Sequence, residues 1–159
     1  MPLLEVTGLH LFLRGDQGAV QALRYVSFKL ERGHALGIIG ESGSGKSLTV
    51  QTLMGLQPDN ASVTGSMLWN GQELVGQSES AWQALRGNRM AMVFQEPMTA
   101  LNPVHTIGRQ VAEPMIRHQG LSRAAALRRA TDLLGRVGIP NASARVDDYP
   151  HQFSGGQRQ

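Results

Sequence analysis

The sequence predicts an α/β fold in which an N-terminal antiparallel β region and a glycine-rich loop precede a helical region. Three observations favour this fold class. Apolar and other side chains alternate near the N-terminus, with the period of a strand. A short apolar run then leads directly into a stretch rich in glycine, at residues 40–45. Beyond Pro103 the apolar residues recur at helical spacing.

The N-terminal region is predicted to form strands joined by tight turns. Alternation predicts strands around residues 9–13 and 26–30, and Gly-Asp-Gln-Gly at 15–18 has the composition of a turn between them. A further strand is expected over residues 66–69. It ends at the Asn-Gly dipeptide 70–71, which strongly favours a hairpin.

The middle of the chain is predicted to contain one more strand and two helices. The apolar run at 35–39, Ala-Leu-Gly-Ile-Ile, is typical of a strand buried on both faces. A helix is expected from about residue 45 to 56, where Gly55 and Pro58 are stop signals. A shorter polar helix is expected over residues 79–86.

The C-terminal region is predicted to be helical. Residues 107–118 and 123–137 have apolar side chains at helical spacing, and the serine before the second segment is a suitable N-cap. We therefore expect a boundary near residues 97–104. It divides the chain into a core with antiparallel strands and the glycine-rich loop, residues 1–97, and a helical subdomain, residues 98–159.

Composition limits the classes of function. The chain has 159 residues, 41% hydrophobic and 17% charged, which is typical of globular proteins. It has no cysteine, so disulfides and thiolate metal sites are excluded. No apolar run is long enough to span a bilayer, so we expect any membrane role to be peripheral. The net charge is +3, but the basic residues are scattered, which argues against a nucleic-acid partner.

A phosphate-binding loop is predicted at residues 40–47, because Gly-Glu-Ser-Gly-Ser-Gly-Lys-Ser fits the pattern G-x-x-x-x-G-K-[ST]. Glycines permit backbone angles at which successive N–H groups surround a phosphate, and the following helix presents its positive end to the anion. The positive charge of Lys46 can pair with the β- and γ-phosphates, and the Ser47 hydroxyl can coordinate Mg²⁺. The predicted site comprises Gly40, Glu41, Ser42, Gly43, Ser44, Gly45, Lys46, Ser47 and Leu48.

The segment 153–159, Phe-Ser-Gly-Gly-Gln-Arg-Gln, resembles the signature of ABC-type ATPases, usually written LSGGQ. Phenylalanine stands where leucine is usual. In that family two ATPase domains pair head to tail, and the signature of one covers the γ-phosphate held by the other. The resemblance therefore implies nucleotide contacts from Ser154, Gly155, Gly156 and Gln157.

Phe-Gln-Glu-Pro at 94–97 matches the Q-loop of the same family. The resemblance implies that Gln95 is a catalytic residue that reaches the attacking water. It also implies that Gln95 and Ser47 are both ligands of the Mg²⁺. It also implies that this loop hinges the helical subdomain. The longer strings at 94–103 and 148–152 resemble the peptide and nickel importer branch, and the likeness extends over residues 3–159.

The resemblance implies a P-loop ABC ATPase that couples Mg-ATP binding and hydrolysis to the uptake of peptides or a similar small solute. The implied cofactors are ATP and Mg²⁺. The implied partners are a second ATPase domain, transmembrane permease subunits and a periplasmic or extracellular substrate-binding protein. The implied location is the cytoplasmic face of the cell membrane, with peripheral attachment.

Residues 1–159 stop before the family's Walker B strand, whose Asp-Glu pair holds Mg²⁺ and polarises water. We therefore expect this chain alone to bind ATP without appreciable hydrolysis. A parallel sheet without its neighbouring strands has an open apolar edge, so we also expect poor solubility or marginal stability.

Several alternatives stay open at this point. One is a non-hydrolysing ATP-binding fragment, and another is a soluble ABC protein that acts on nucleic acid, although such proteins usually have long insertions. A P-loop kinase would leave the signature and the Q-loop unexplained. The sequence does not decide the transported solute, whether the partner ATPase is identical, or whether the chain naturally ends at Gln159. Nor does it assign the adenine-stacking residue, because Leu13 occupies the family position and Phe12 lies beside it.

Overall fold

The computed structural model describes residues 1–16, 18–94 and 100–159. These residues form two compact units, Met1–Arg86 and Gly87–Gln159. The first unit contains the β-sheet and two helices, and the second is helical. The chain therefore has the predicted combination of an N-terminal β region and a later helical region.

The first unit is built on a four-stranded antiparallel sheet with the strand order β2-β1-β3-β4. The strands are β1 (Leu4–Gly15), β2 (Gly18–Leu30), β3 (Ala61–Trp69) and β4 (Gln72–Glu73). The strands predicted near 9–13, 26–30 and 66–69 are thus confirmed. The turn between β3 and β4 is the predicted Asn-Gly hairpin, in which both residues have positive φ.

A bulge in β1 explains why its buried residues change from even to odd numbers. Val6 and Leu9 both face the core, although strict alternation would put them on opposite faces. The register of β1 against β2 shifts between these two residues. Gly8 lies in the shift, and a Cβ on Gly65 of β3 would lie 2.3 Å from its carbonyl oxygen. Close backbone approach therefore requires glycine at position 65.

The core of the first unit lies between one sheet face and two helices, α1 (Lys46–Leu53) and α2 (Glu79–Leu85). Both helices were predicted, with slightly wider bounds. Ser78 caps α2 by accepting a hydrogen bond from the N–H of Ala81. The buried core residues of this unit are Leu4, Val6, Leu9, Leu53, Met67, Leu74 and Trp82.

The apolar run at 35–39 is not a strand, so that prediction is wrong. Leu36 is 45% exposed and Ile39 is 95% exposed. A strand needs a neighbour for its N–H and C=O groups. Within the described part of the chain the sheet contains only β1 to β4, and none of them pairs with this run.

The second unit contains four α-helices and one short 3₁₀ helix in its described residues: α3 (Ile107–Gln119), α4 (Arg123–Arg136), α5 (Ala142–Arg145), the 3₁₀ helix Pro150–Gln152 and α6 (Gly155–Arg158). The first two were predicted, and the expected serine N-cap of α4 accepts a hydrogen bond from the N–H of Ala125. The predicted boundary near 97–104 lies partly on residues outside the described ones and stays a prediction.

Small side chains let α3 and α4 pack closely. Ala112 of α3 lies against Ala126 and Ala130 of α4, and all three are at most 2% exposed. A second cluster around Ile107 joins the start of α3 to the segment that ends in Phe153. In the described residues, no helix has the length and apolar character that a membrane span requires.

Candidate functional site

The predicted phosphate loop is a short turn that leads directly into α1. The N–H of Ser44 donates to the carbonyl of Glu41 at 3.2 Å. Gly45 is the N-cap of α1, with φ of 91°. Its carbonyl oxygen accepts from both the N–H and the hydroxyl of Thr49, at 2.8 and 2.9 Å. The loop is therefore tied to the first turn of the helix.

The Lys46 side chain folds back over this loop. Its ammonium nitrogen lies 2.8 Å from the carbonyl oxygen of Gly40, 2.6 Å from that of Glu41 and 3.4 Å from Ser44 Oγ. All three partners are neutral oxygens. An anion in the loop would add an ion pair with the ammonium, which these neutral oxygens cannot provide.

Two glycines of the loop lie where a side chain would displace its neighbours. A Cβ on Gly40 would lie 2.8 Å from Ser44 Oγ, inside the turn. A Cβ on Gly45 would lie 2.8 Å from Leu23 Cδ2 of β2. Gly45 therefore lets α1 pack directly on the sheet, while Gly40 leaves space within the loop. The contact with Leu23 has no signal in the sequence, because the two residues are distant along the chain.

The first turn of α1 is suited to an anion. It contains no acidic residue, and the first N–H groups of a helix have no intrahelical partner. Ser47 is exposed there, whereas Leu48 is half-buried. Thr49 and Thr52 are at most 5% exposed, and their hydroxyls donate to carbonyls one turn earlier, so the helix is fixed beneath the loop.

In the second unit, the predicted signature residues begin α6. Ser154 Oγ accepts from the N–H of Gln157 at 3.3 Å, and Gln157 Oε1 accepts from the N–H of Ser154 at 3.1 Å. This is a capping box. Gly155 and Gly156 are exposed. Because the serine oxygen accepts within the cap, its hydroxyl hydrogen is left to donate to another group.

Phe153 anchors this segment. Its side chain is 4% exposed and packs with Ile107, Leu134, Ile139 and Val146. Leucine at this position of the motif would also be apolar, so the substitution keeps the anchor. A second contact, from the guanidinium of Arg145 to the Phe153 ring at 4.0 Å, has no signal in the sequence.

The predicted site residues thus form two groups, one in each unit. Residues 40–48 lie together in the first unit, and residues 154–157 lie together in the second. Gln95 lies outside the described residues. Phe12 is stacked beside His10 at a ring separation of 6.3 Å, and Leu13 pairs with Val20 in the sheet. Among the described residues, no cluster of three His, Asp or Glu could hold a metal ion.

Comparisons with known proteins agree with this geometry. A family model described as ABC transporter matches residues 23–159. The chain is 51% identical to the dipeptide transport ATP-binding protein DppD of Lactococcus lactis, over 98% of this chain and 45% of that protein. It is 46% identical to the oligopeptide transport ATP-binding protein OppD of Bacillus subtilis, over 99% of this chain and 44% of that protein. The chain therefore spans slightly less than half the length of these relatives.

The fold is similar to that of solved structures. Dimeric ATP-binding cassette MJ0796, in a post-hydrolysis state bound to ADP and phosphate, superposes with a TM-score of 0.80 at 23% identity, over 98% of this chain and 65% of that one. A second dimeric structure of the same bacterial cassette gives a TM-score of 0.79 at 22% identity, with the same coverage.

Proposed function

Because this chain belongs to the ABC transporter family, we propose that it binds Mg-ATP as part of an ATPase that drives a membrane importer. The observation that supports this most directly is the Lys46 ammonium, held over a glycine loop at the N-terminus of α1. A cation and the N-terminus of a helix lie next to each other there, and each favours a phosphate.

The residues of this loop fit a magnesium nucleotide. A Cβ at position 40 would lie 2.8 Å from Ser44 Oγ, so glycine keeps the inside of the loop clear of a side chain, and we propose that residues 40–48 surround the phosphates. When bound, Mg²⁺ would neutralise the negative charge of the phosphates. Ser47, exposed on the first turn of α1, is the described residue that we propose to coordinate it. We assign Gln95 as the second ligand and as the residue that orients the attacking water.

We propose that residues 154–157 contact the nucleotide of a second ATPase domain. Ser154 and the exposed glycines present a hydroxyl and backbone N–H groups in one short segment, which suits the terminal phosphate oxygens. The similar cassette is dimeric.

We propose peptides as the transported class, since the relatives named above are dipeptide and oligopeptide transport proteins. The partners are then two permease subunits and a substrate-binding protein, with this chain at the cytoplasmic face of the membrane. Uptake of a labelled dipeptide by cells that lack the gene tests this. Loss of dipeptide uptake is expected. Normal dipeptide uptake with loss of nickel uptake would contradict the peptide assignment.

The binding proposal is tested by replacing Lys46 with alanine and measuring the affinity for a fluorescent ATP analogue with Mg²⁺. Loss of the ammonium is expected to weaken binding at least about tenfold, corresponding to about 1.4 kcal/mol. Lys29→Ala is the matched control, because Lys29 is the one other lysine and pairs with Glu5 on the sheet. Equal affinity of the Lys46→Ala variant and the unmodified chain would overturn the proposal.

A further inference from the structure

We propose that Arg145 is a positioning residue for the segment Phe153–Gln157, a role that rests on the nucleotide contact proposed for Ser154. One guanidinium makes three contacts around this segment. Arg145 Nε donates to Asp148 Oδ2 at 3.0 Å, and Nη2 donates to the carbonyl oxygen of Gln152 at 2.9 Å. The guanidinium carbon lies 4.0 Å from the centre of the Phe153 ring.

These contacts use properties that arginine has and lysine lacks. The guanidinium is planar, donates in two directions at once and stacks on an aromatic face. Here it joins a carboxylate, a backbone carbonyl and a ring that belong to three different residues. The guanidinium is largely buried, and the Asp148 carboxylate is buried to a similar degree, so their ion pair is less screened than a surface pair.

The turn that contains Arg145 is itself fixed to α3. The N–H of Ile107 donates to the carbonyl of Asp148 at 2.9 Å, and the N–H of Gly108 donates to that of Val146 at 2.8 Å. Gly108 has no room for a side chain, because a Cβ would lie 2.3 Å from Val146 Cγ2. Arg145 therefore extends from a rigid base.

The segment after Phe153 needs contacts with other residues to keep its conformation. Helix α6 has four residues, and a helix this short is not stable in isolation. Its start depends on the Phe153 anchor and on two arginines: Arg145, which holds the Gln152 carbonyl, and Arg158, which donates to the Phe153 carbonyl at 3.0 Å. Arg145 thus sets where the Ser154 hydroxyl and the following amides lie.

The test uses the protein as its own cells make it, with Arg145 replaced by alanine. Pairing of the ATPase domains, in the combination that those cells assemble, is measured by sedimentation in a slowly hydrolysed ATP analogue, and nucleotide affinity is measured separately. We expect pairing to weaken about tenfold or more, since hydrogen bonds to charged groups are lost, while nucleotide affinity changes less than about twofold. Arg128→Ala, the loss of an exposed arginine on α4, is the matched control and should leave both values unchanged.

Two further variants separate positioning from simple loss of folding. Arg145→Lys keeps a charge near Asp148 but lacks the planar guanidinium that stacks on the Phe153 ring, so partial recovery of pairing is expected. Asp148→Asn keeps the shape and removes the ion pair. Hydrogen exchange at Gln157 and Arg158 should accelerate in Arg145→Ala while exchange in α3 and α4 stays slow. A folded Arg145→Ala variant with unchanged pairing and unchanged exchange would overturn the inference.

Failure of this inference is distinguishable from failure of the proposed function. If Lys46→Ala abolishes nucleotide binding and Arg145→Ala leaves pairing intact, the nucleotide site stands and only the role of Arg145 is wrong. If Arg145→Ala does not fold, pairing is measured in Arg145→Lys and Asp148→Asn instead. Normal pairing in both variants would show that Arg145 does not position the segment Phe153–Gln157.

Discussion

Glu73 satisfies four hydrogen-bond donors with one carboxylate. Its Oε1 accepts from the N–H groups of Met67, Leu74 and Val75 at 2.8 to 3.0 Å, and its Oε2 accepts from the Ser66 hydroxyl at 2.6 Å. Burial raises the pKa of Glu73, but the hydrogen bonds from Ser66 and the backbone outweigh it and hold that pKa below the usual value. The carboxylate therefore closes the β3–β4 hairpin in its charged form.

This network predicts an acid-dependent contribution to stability. Because the folded pKa of Glu73 is lowered, its contribution is present above the pKa of the unfolded chain and is lost as the pH falls through the folded pKa. Glu73→Gln is expected to lower the free energy of unfolding by about 1–3 kcal/mol near neutral pH. The deficit should shrink in acid.

Urea unfolding at about pH 7 and about pH 3 measures this difference. Glu31→Gln removes the same charge from an exposed residue and should have little effect at either pH. A deficit of equal size at both pH values would show that the charge of Glu73 does not matter.

Residue by residue, the sequence predicts contacts made within one contiguous motif and misses those made between distant residues. Lys46 and Gly40 belong to one octapeptide, so the pattern of that octapeptide is enough to indicate their contact. The contact of Gly45 with Leu23 depends on how α1 packs on the sheet. Arg145 was missed for another reason: its three partners lie three to eight residues further along the chain, but together they form no motif whose pattern indicates the contact.

At the scale of elements, the end of α1 shows how a local signal fixes a helix boundary. The N–H of Leu56 donates to the carbonyl of Gln51 at 2.8 Å, and the N–H of Gly55 donates to that of Thr52 at 3.0 Å. This is a Schellman motif, with Gly55 at φ of 63°. The helix ends there because glycine adopts this angle without strain, and the chain then turns towards β3.

Replacing Gly55 with alanine is expected to destabilise the first unit by more than backbone strain alone. A Cβ there would lie 2.5 Å from the ring of Trp82, a buried residue of the core. Gly33→Ala is the matched control, since Gly33 also has positive φ but no atom within 4 Å of its Cβ position. The control should lose about 1 kcal/mol from the αL conformation.

Urea unfolding of the two variants measures the difference, and Gly55→Ala should lose at least about 1 kcal/mol more, because the tryptophan must also shift. Equal losses would mean that the Trp82 ring moves at no cost. That outcome would show that the close approach of Gly55 to the Trp82 ring does not require glycine.

Helices and hairpins were predictable because their hydrogen bonds join residues that are only a few positions apart in the sequence. The caps at Ser78 and Ser122 and the turn at 70–71 are signals of this kind. The run at 35–39 has the composition of a buried strand, but a strand forms only against a partner that composition does not specify. Its apolar residues are therefore exposed next to the phosphate loop.

For the whole molecule, that exposed run is the feature with the largest consequence. Leu36, Ile38 and Ile39 are close together in sequence and are at least 40% exposed. Their unpaired backbone N–H and C=O groups and apolar side chains favour pairing with another extended chain. We therefore predict that the 159-residue chain self-associates through this run.

The prediction is tested with Ile39→Lys, measured by light scattering over a range of concentrations. Ile39 is 95% exposed, so little packing is lost, while the added charge opposes strand pairing. Val104→Lys adds the same charge at a valine that is 72% exposed outside the run. We expect Ile39→Lys to raise the concentration at which association begins and Val104→Lys to raise it much less. Equal effects of the two substitutions would show that net charge, not the run at 35–39, controls solubility. A monodisperse unmodified chain with a sharp, cooperative melt would contradict the prediction itself.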